Sequence, residues 1–172
     1  GIVKYEPPIP AAMAGELGPL YGVPLKYDIE NFKKYPDVLM EGEPVRMTEK
    51  THGTFTGVAV VSRAVVYPFG PGGIVYSKGM GAKGFVFKNV PENSGNLYVR
   101  IAVALGLHDK LRSAFPGSDV HLLGETYGKG VQDLDYGRSD QGFAAFDIWV
   151  DGAFLDWDAF QNKCLEMDIP HV

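Results

Sequence analysis

The stretch that decides the fold runs from Asp119 to Gly152: DVHLLGETYGKGVQDLDYGRSDQGFAAFDIWVDG. Its two ends, DVHLLGE and GFAAFDIWVDG, are rich in apolar and aromatic residues and read as two strands. In the second strand the two-residue period predicts Phe146 and Ile148 on one face and Asp147 on the other. Glu125 stands in the first strand between Gly124 and Thr126. A carboxylate at the end of an apolar strand is a poor structural choice. It makes sense where it accepts hydrogen bonds from a ribose or helps to hold a metal. Phe146 is either plain core or a platform on which a base stacks.

Downstream of this stretch, Asp156 occupies a capping position ahead of Phe160, Cys164 and Leu165, which predicts a helix. Upstream, GNLYVRIAVALGLHDKLR (95–112) places Leu97, Ile101, Ala104, Leu105 and Leu111 on one face, the best helical pattern in the chain. Before it, IVYSKG (74–79) and GFVFKNV (84–90) read as strands, and TFTGVAVVSRAVVYP (54–68) as a long one, followed by the turn FGPGG. In PLKYDIENFKKYPDVLM (24–40), Ile29, Phe32 and Tyr35 have helical spacing ahead of Pro36, which predicts a short helix ending there. Residues 1–11, GIVKYEPPIPA, carry Pro7, Pro8 and Pro10 and read as an extended arm or linker, which leaves 12–172 as the domain. Strands mixed with helices, without strict alternation, predict an α+β fold.

Composition sets the outer bounds. The chain has 172 residues, 45% hydrophobic and 22% charged, enough for one domain with a core, which excludes wholesale disorder. Its 22 glycines and 12 prolines follow no period, which excludes collagen and predicts many turns. One cysteine, Cys164, excludes a disulfide framework and a multi-cysteine metal site. On an apolar helix face it reads as a core thiol, and a cytoplasmic location is expected. No apolar run approaches membrane-spanning length and no leader opens the chain, so no membrane partner is expected. A net charge of -5 argues against coating nucleic acid by bulk charge, but not against gripping it through one local groove.

Three motifs remain to be weighed. GMGAKG (79–84) matches G-x-G-x-x-G, yet the residues after it are strand-like and then broken by Pro91, so a flexible hairpin loop is expected in place of a dinucleotide fingerprint. Lys78 and Lys83 in that loop are candidates for contacting phosphate. His52, His108, His121 and His171 show no metal-ligand spacing, and no protein metal cage is expected. In RMTEKTHGTFTG (46–57), Lys50 is expected to end one strand, with Gly53 before the next. The bland reading is a turn with an exposed lysine. The functional one is a lysine nucleophile at a strand end, with Gly53 letting a phosphate approach the backbone.

Taken together, the blocks EKTHGT (49–54), LLGETYGKGVQ (122–132) and FAAFDIWV (143–150) resemble the covalent nucleotidyltransferases, specifically the ATP-dependent RNA ligases. KYEPPIP and KYDIENFKKYPDVLMEGE resemble the bacterial and protist branch, which carries an N-terminal OB-like domain and seals RNA 3′-hydroxyl ends at nicks. The resemblance spans nearly the whole chain. It implies a ligase-type nucleotidyltransferase fold of mostly antiparallel sheets flanked by helices. Lys50 would attack the α-phosphate of ATP and carry AMP as a lysyl phosphoramidate. Glu49, Thr51 and Gly53 would frame the nucleotide, Lys78 would contact phosphate, Glu125 would bind the ribose and Phe146 would stack on adenine. AMP would pass to an RNA 5′-phosphate, and a 3′-hydroxyl would displace it, sealing a break in RNA repair. Magnesium or manganese is implied. DNA ligases, capping-type guanylyltransferases and a non-catalytic nucleotide- or RNA-binding module are the alternatives.

Two departures accompany the resemblance. Phe55 stands where some phage relatives carry an asparagine that touches phosphate, so that contact is missing or supplied elsewhere. The family also has a later strand bearing Glu-Gly and a final lysine-rich strand, and the chain ends at IPHV before either. The expectation is a domain incomplete at its C-terminus.

Overall fold

In the computed structural model, which describes residues 17–19, 25, 27–29, 31–61, 69–70, 72–82 and 85–172, β5 (Val120–Gly128) and β6 (Gln141–Val150) form a long antiparallel pair. They sit inside a seven-stranded antiparallel sheet with β1 (Leu17–Pro19), β2 (Thr54–Val60), β3 (Gly73–Ser77), β4 (Phe85–Phe87) and β7 (Ala153–Phe154). The order across the sheet is β1-β4-β3-β2-β5-β6-β7. The expected arm at 1–11, Lys83 and most of the expected strand beyond Val61 lie outside the described residues.

Period-two alternation gives each strand two faces. One face carries Val58, Val75, Phe87, Val120, Leu122, Phe143, Ala145 and Ile148, and three helices cover it: α2 (Leu97–Ala104), α3 (Leu107–Ala114) and α4 (Trp157–Glu166). Ile101, Leu107, Leu111, Phe160 and the fully buried Cys164 supply the helix side of this core. The opposite face carries Ala59, Ile74, Tyr76, Val86 and Leu123, with Tyr27, Phe55 and Phe146 packed beside them. That second face holds the site described below.

The structure corrects several expectations, each for a local reason. Phe146 and Ile148 do not share a face. Leu123 pairs with Asp147 and Gly124 with Ala145, so Phe146 is an extra residue in a β-bulge. The bulge shifts the alternation by one. Phe146 therefore turns to the open face with Tyr27 and Phe55, while Ile148 turns to the helices. The single helix expected over 95–112 is two. Asn96 caps α2 by accepting hydrogen bonds from the Tyr98 and Val99 amides, and Gly106, at φ +60°, breaks the helix before α3. The helix expected before Pro36 is only a 3-10 turn, Phe32–Lys34. Ile29 and Tyr35 are exposed, so no buried face supports a longer one. Residues 78–82 are not a loop but the short helix α1 (Lys78–Ala82), which joins the antiparallel strands β3 and β4. No parallel crossover exists there for a dinucleotide to use. No strand ends at Lys50: the chain from Pro44 to Gly53 is neither helix nor strand. In α4 the Asp156 cap is present, but Leu165 points outward, 65% exposed.

Two buried histidines make stability pH-dependent. His108 hydrogen-bonds the Ile74 carbonyl at 3.0 Å and stacks on Phe69, and His121 hydrogen-bonds the Tyr76 hydroxyl at 2.7 Å. Burial pushes both imidazoles down to about 4. The unfolded chain titrates near 6.5 and binds protons that the native state refuses, so stability falls as pH drops from about 6.5 towards 4. Between pH 7 and pH 5 each histidine accounts for roughly 2 kcal/mol, and the melting temperature is expected to fall by roughly 10 °C. Thermal melts across that range check this. His108→Gln, which keeps an N–H donor but cannot titrate, should flatten the dependence, and an unchanged melting temperature at pH 5 would contradict it.

Candidate active site

A cavity of about 610 Å³ opens on the face of the sheet opposite α2, α3 and α4. Its floor is set by strand register. Phe55 on β2 lies directly opposite Glu125 on β5, which in turn lies opposite Ala144 on β6, so side chains from three strands meet on one face. The bulge then presents Phe146 beside them. Tyr27 packs on this floor, with its ring 5.2 Å from Phe146 and 6.2 Å from Phe55. Its hydroxyl lies beside the Asp147 carboxylate. Burial, then the Asp147 carboxylate, pushes the Tyr27 hydroxyl up to about 12.

The charged wall comes from the segment that runs into β2. Thr48, Glu49, Lys50 and Thr51 line the cavity in sequence order, and Lys78 at the start of α1 reaches its rim, 3.6 Å from Asp28. Glu125 is half-buried, and desolvation raises its carboxyl above the usual range. The Lys50 charge, the Gly53 backbone N–H and His52 pull the other way. The carboxylate thus sits among a lysine, a backbone donor and an aromatic floor. Such a set suits a ligand with a planar apolar ring, hydroxyl donors and a negatively charged tail.

Six residues singled out in the sequence therefore line one cavity: Glu49, Lys50, Thr51, Lys78, Glu125 and Phe146. Gly53 stands just behind it. A Cβ there would run into the main-chain carbonyl of Thr126, so packing against β5 already demands glycine at this position. Among the described residues no cluster of three or more histidine, cysteine or acidic side chains is arranged to hold a metal. No helix among them is long and apolar enough to cross a membrane.

Three features of the site were not evident in the sequence. Tyr27 was not evident, because the helical spacing read in its segment, 24–40, rests on Ile29, Phe32 and Tyr35 and does not include it. Val172 lines the cavity because residues 170–172 run alongside β6: the Ala145 N–H donates to the Pro170 carbonyl at 2.8 Å, and the Val172 N–H donates to Ala145 at 2.9 Å. His52, by its spacing, stood out only as a non-ligand. Its ring lies 2.8 Å from Asp133, and its backbone N–H donates to the Tyr136 hydroxyl at 2.6 Å.

Known proteins share both the sequence family and the fold. The family model described as RNA ligase matches residues 43–172. Among solved structures, that of Naegleria gruberi RNA ligase with pyrophosphate superposes with a TM-score of 0.67 at 18% identity, covering 99% of this chain. A point mutant of the same enzyme without ligand gives 0.69 at 20% identity over 98% of this chain, and another with AMP and manganese gives 0.66 at 18% over 99%. In each case the match covers 48% of the Naegleria chain, so this chain spans about half the length of that protein. These likenesses establish a ligase-type nucleotidyltransferase fold. No curated protein matches.

Proposed function

The chain belongs to the RNA ligase family, and from that premise we propose that it is the adenylation domain of an ATP-dependent, intracellular RNA ligase acting in RNA repair. The observation that carries the proposal is that Lys50, Glu125 and Phe146, from three separate sequence blocks, line one cavity.

On this reading ATP enters with its base over Phe146, its ribose hydroxyls donating to Glu125 and its phosphates towards Lys50 and Lys78. The Lys50 amine, once deprotonated, attacks the α-phosphorus. A nitrogen–phosphorus bond forms, the bond to the bridging oxygen breaks and pyrophosphate leaves. Glu49 and Thr51, next to Lys50, frame the nucleotide. AMP then passes from Lys50 to the 5′-phosphate of an RNA end, and a 3′-hydroxyl displaces it at a nick in a duplex. A magnesium or manganese ion, which stays mostly hydrated and needs no cage of protein ligands, would be held chiefly by the phosphates that Lys50 and Lys78 face. Such an ion supplies charge neutralisation of the triphosphate.

The test is incubation with labelled ATP, GTP or NAD and a divalent metal. Covalent label from ATP alone is expected. Label from GTP would point to capping chemistry, label from NAD to a DNA ligase of another branch, and absence of label from all three to a non-catalytic binding module. A second prediction concerns the floor. Base–aromatic stacking is worth about 1–3 kcal/mol, so Phe146→Ala should weaken ATP use about 5- to 150-fold while Phe146→Tyr stays active. Steady-state ATP titrations check this, and full activity in Phe146→Leu would make the residue packing alone.

A further inference from the structure

We infer that the loop joining β5 to β6, residues 129–140, is a brace that fixes the Lys50–Gly53 segment, with Asp133 and Tyr136 as positioning residues for the Lys50 amine. The inference rests on the proposed role of Lys50 and adds residues that neither the family match nor the cavity lining assigns.

From Pro44 to Gly53 the chain forms neither helix nor strand, so no ladder of backbone hydrogen bonds holds Lys50 in register. The contacts that hold the segment come from across the fold, some eighty residues away. The Tyr136 hydroxyl accepts from the His52 backbone N–H at 2.6 Å. Asp133 Oδ1 lies 2.8 Å from His52 Nε2. The Gln132 side-chain amide donates to the Gly53 carbonyl at 3.3 Å. From beneath, the Gly53 N–H lies near enough to the Glu125 carboxylate to favour its charged form. The two residues after Thr51 are thus gripped on both backbone and side chain, and the grip begins two positions beyond the proposed nucleophile.

A brace must itself be stiff, and this loop is. Gln141 Nε2 donates to the Lys129 carbonyl at 2.7 Å, the Lys129 N–H to Asp140 at 3.1 Å, and the Gly137 N–H to Asp135 Oδ1 at 2.9 Å. Arg138 pairs with Asp140 at 2.8 Å and lies over the Tyr127 ring. Tyr136 holds a left-handed backbone, φ 57°, uncommon for a residue with a side chain. That conformation sets its ring edge-on to Tyr127 of β5, 5.3 Å between centroids, and aims its hydroxyl at His52. The loop therefore transmits the position of β5, which carries Glu125, to the segment that carries Lys50. Reacting atoms must sit close and aligned, and an error of about 1 Å costs about a hundredfold in rate. Linking Lys50 and Glu125 to one strand keeps their spacing fixed.

Asp133 is 92% exposed at its side chain and His52 half-exposed, so removing this contact leaves no buried group unpaired. Loss of global stability is not expected, which separates positioning from folding. The experiment uses the whole chain as wild type, Tyr136→Phe, Asp133→Ala, Asp133→Asn and the double variant Tyr136→Phe/Asp133→Ala. Four quantities are measured: the single-turnover rate of AMP uptake from labelled ATP, ATP affinity by calorimetry, melting temperature, and amide hydrogen exchange at residues 51–53. The double variant should lose about tenfold or more in rate, with ATP affinity and melting temperature unchanged, and its His52 and Gly53 amides should exchange about tenfold faster. Asp133→Asn, which keeps an oxygen acceptor, should recover most of the rate lost in Asp133→Ala. Wild-type rate and wild-type protection in the double variant would overturn the inference. If wild type takes up no label, the proposed function fails, and exchange alone judges the brace: faster exchange in the double variant supports it, and unchanged protection overturns it.

Discussion

Lys50→Ala is expected to abolish transfer of AMP to the protein, a loss of at least about a thousandfold, while ATP binding falls by less than about tenfold. The asymmetry follows from the different jobs of the side chain in the two steps. A nucleophile forms a bond that no neighbour can form in its place, whereas on the proposed function binding is shared among the residues that line the same cavity, the aromatic floor, Glu125 and Lys78. Lys50→Arg sharpens the test. Its guanidinium keeps a positive charge in the same region but cannot be deprotonated to attack, so it too should take up no AMP. Rapid-quench assays with labelled ATP, beside calorimetric titrations, check both variants. Sustained uptake by Lys50→Arg would mean that the residue contributes charge and that another group carries the nucleotide.

Gly53→Ala is expected to be nearly as damaging, by a different route. The added Cβ would collide with the Thr126 main-chain carbonyl of β5, which cannot swing away as a flexible side chain would. Either the 51–53 segment lifts or β5 shifts. Both displace Lys50 relative to Glu125 and strain the Gly53 N–H contact to that carboxylate. Overpacking of this kind costs about 1–3 kcal/mol of stability. A displacement of about 1 Å at the nucleophile costs about a hundredfold in rate. Thermal melts and single-turnover adenylation therefore should fall together, unlike in Lys50→Ala, where the melt should hold. A stable, fully active Gly53→Ala would show that the segment has freedom the structure denies it.

The fold was legible where the pattern was long. The strands around Glu125 and Phe146 span nine and ten residues, and their aromatic and β-branched content left little competition. The cap at Asp156 and the helix behind it followed from local chemistry that tertiary contacts did not overrule. The misreadings share a cause, which is that one residue can reset a period. The extra residue at Phe146 moved Ile148 to the helix face, and the left-handed Gly106 cut one apparent helix into two. Neither leaves a distinctive mark in sequence, since a bulge is fixed by the register of its partner strand and a glycine also sits in straight helices. Of the site, Glu125 was visible because a carboxylate at the end of an apolar strand is odd in its setting. Lys50 and Phe146 had bland readings and stood out through the blocks that resemble the RNA ligases. Tyr27 and the His52–Asp133–Tyr136 contacts were not visible, because they depend on a cross-fold approach that only the closed sheet creates.

The central claim is that the cavity exists to bring the Lys50 amine to the α-phosphate of a nucleotide. Peptide mapping by mass spectrometry, after incubation of the chain with ATP and magnesium or manganese, tests it most directly. The account predicts one AMP per chain, acid-labile as a phosphoramidate, on the peptide that contains Lys50. An AMP adduct on any other lysine, with Lys50 unmodified, would contradict it.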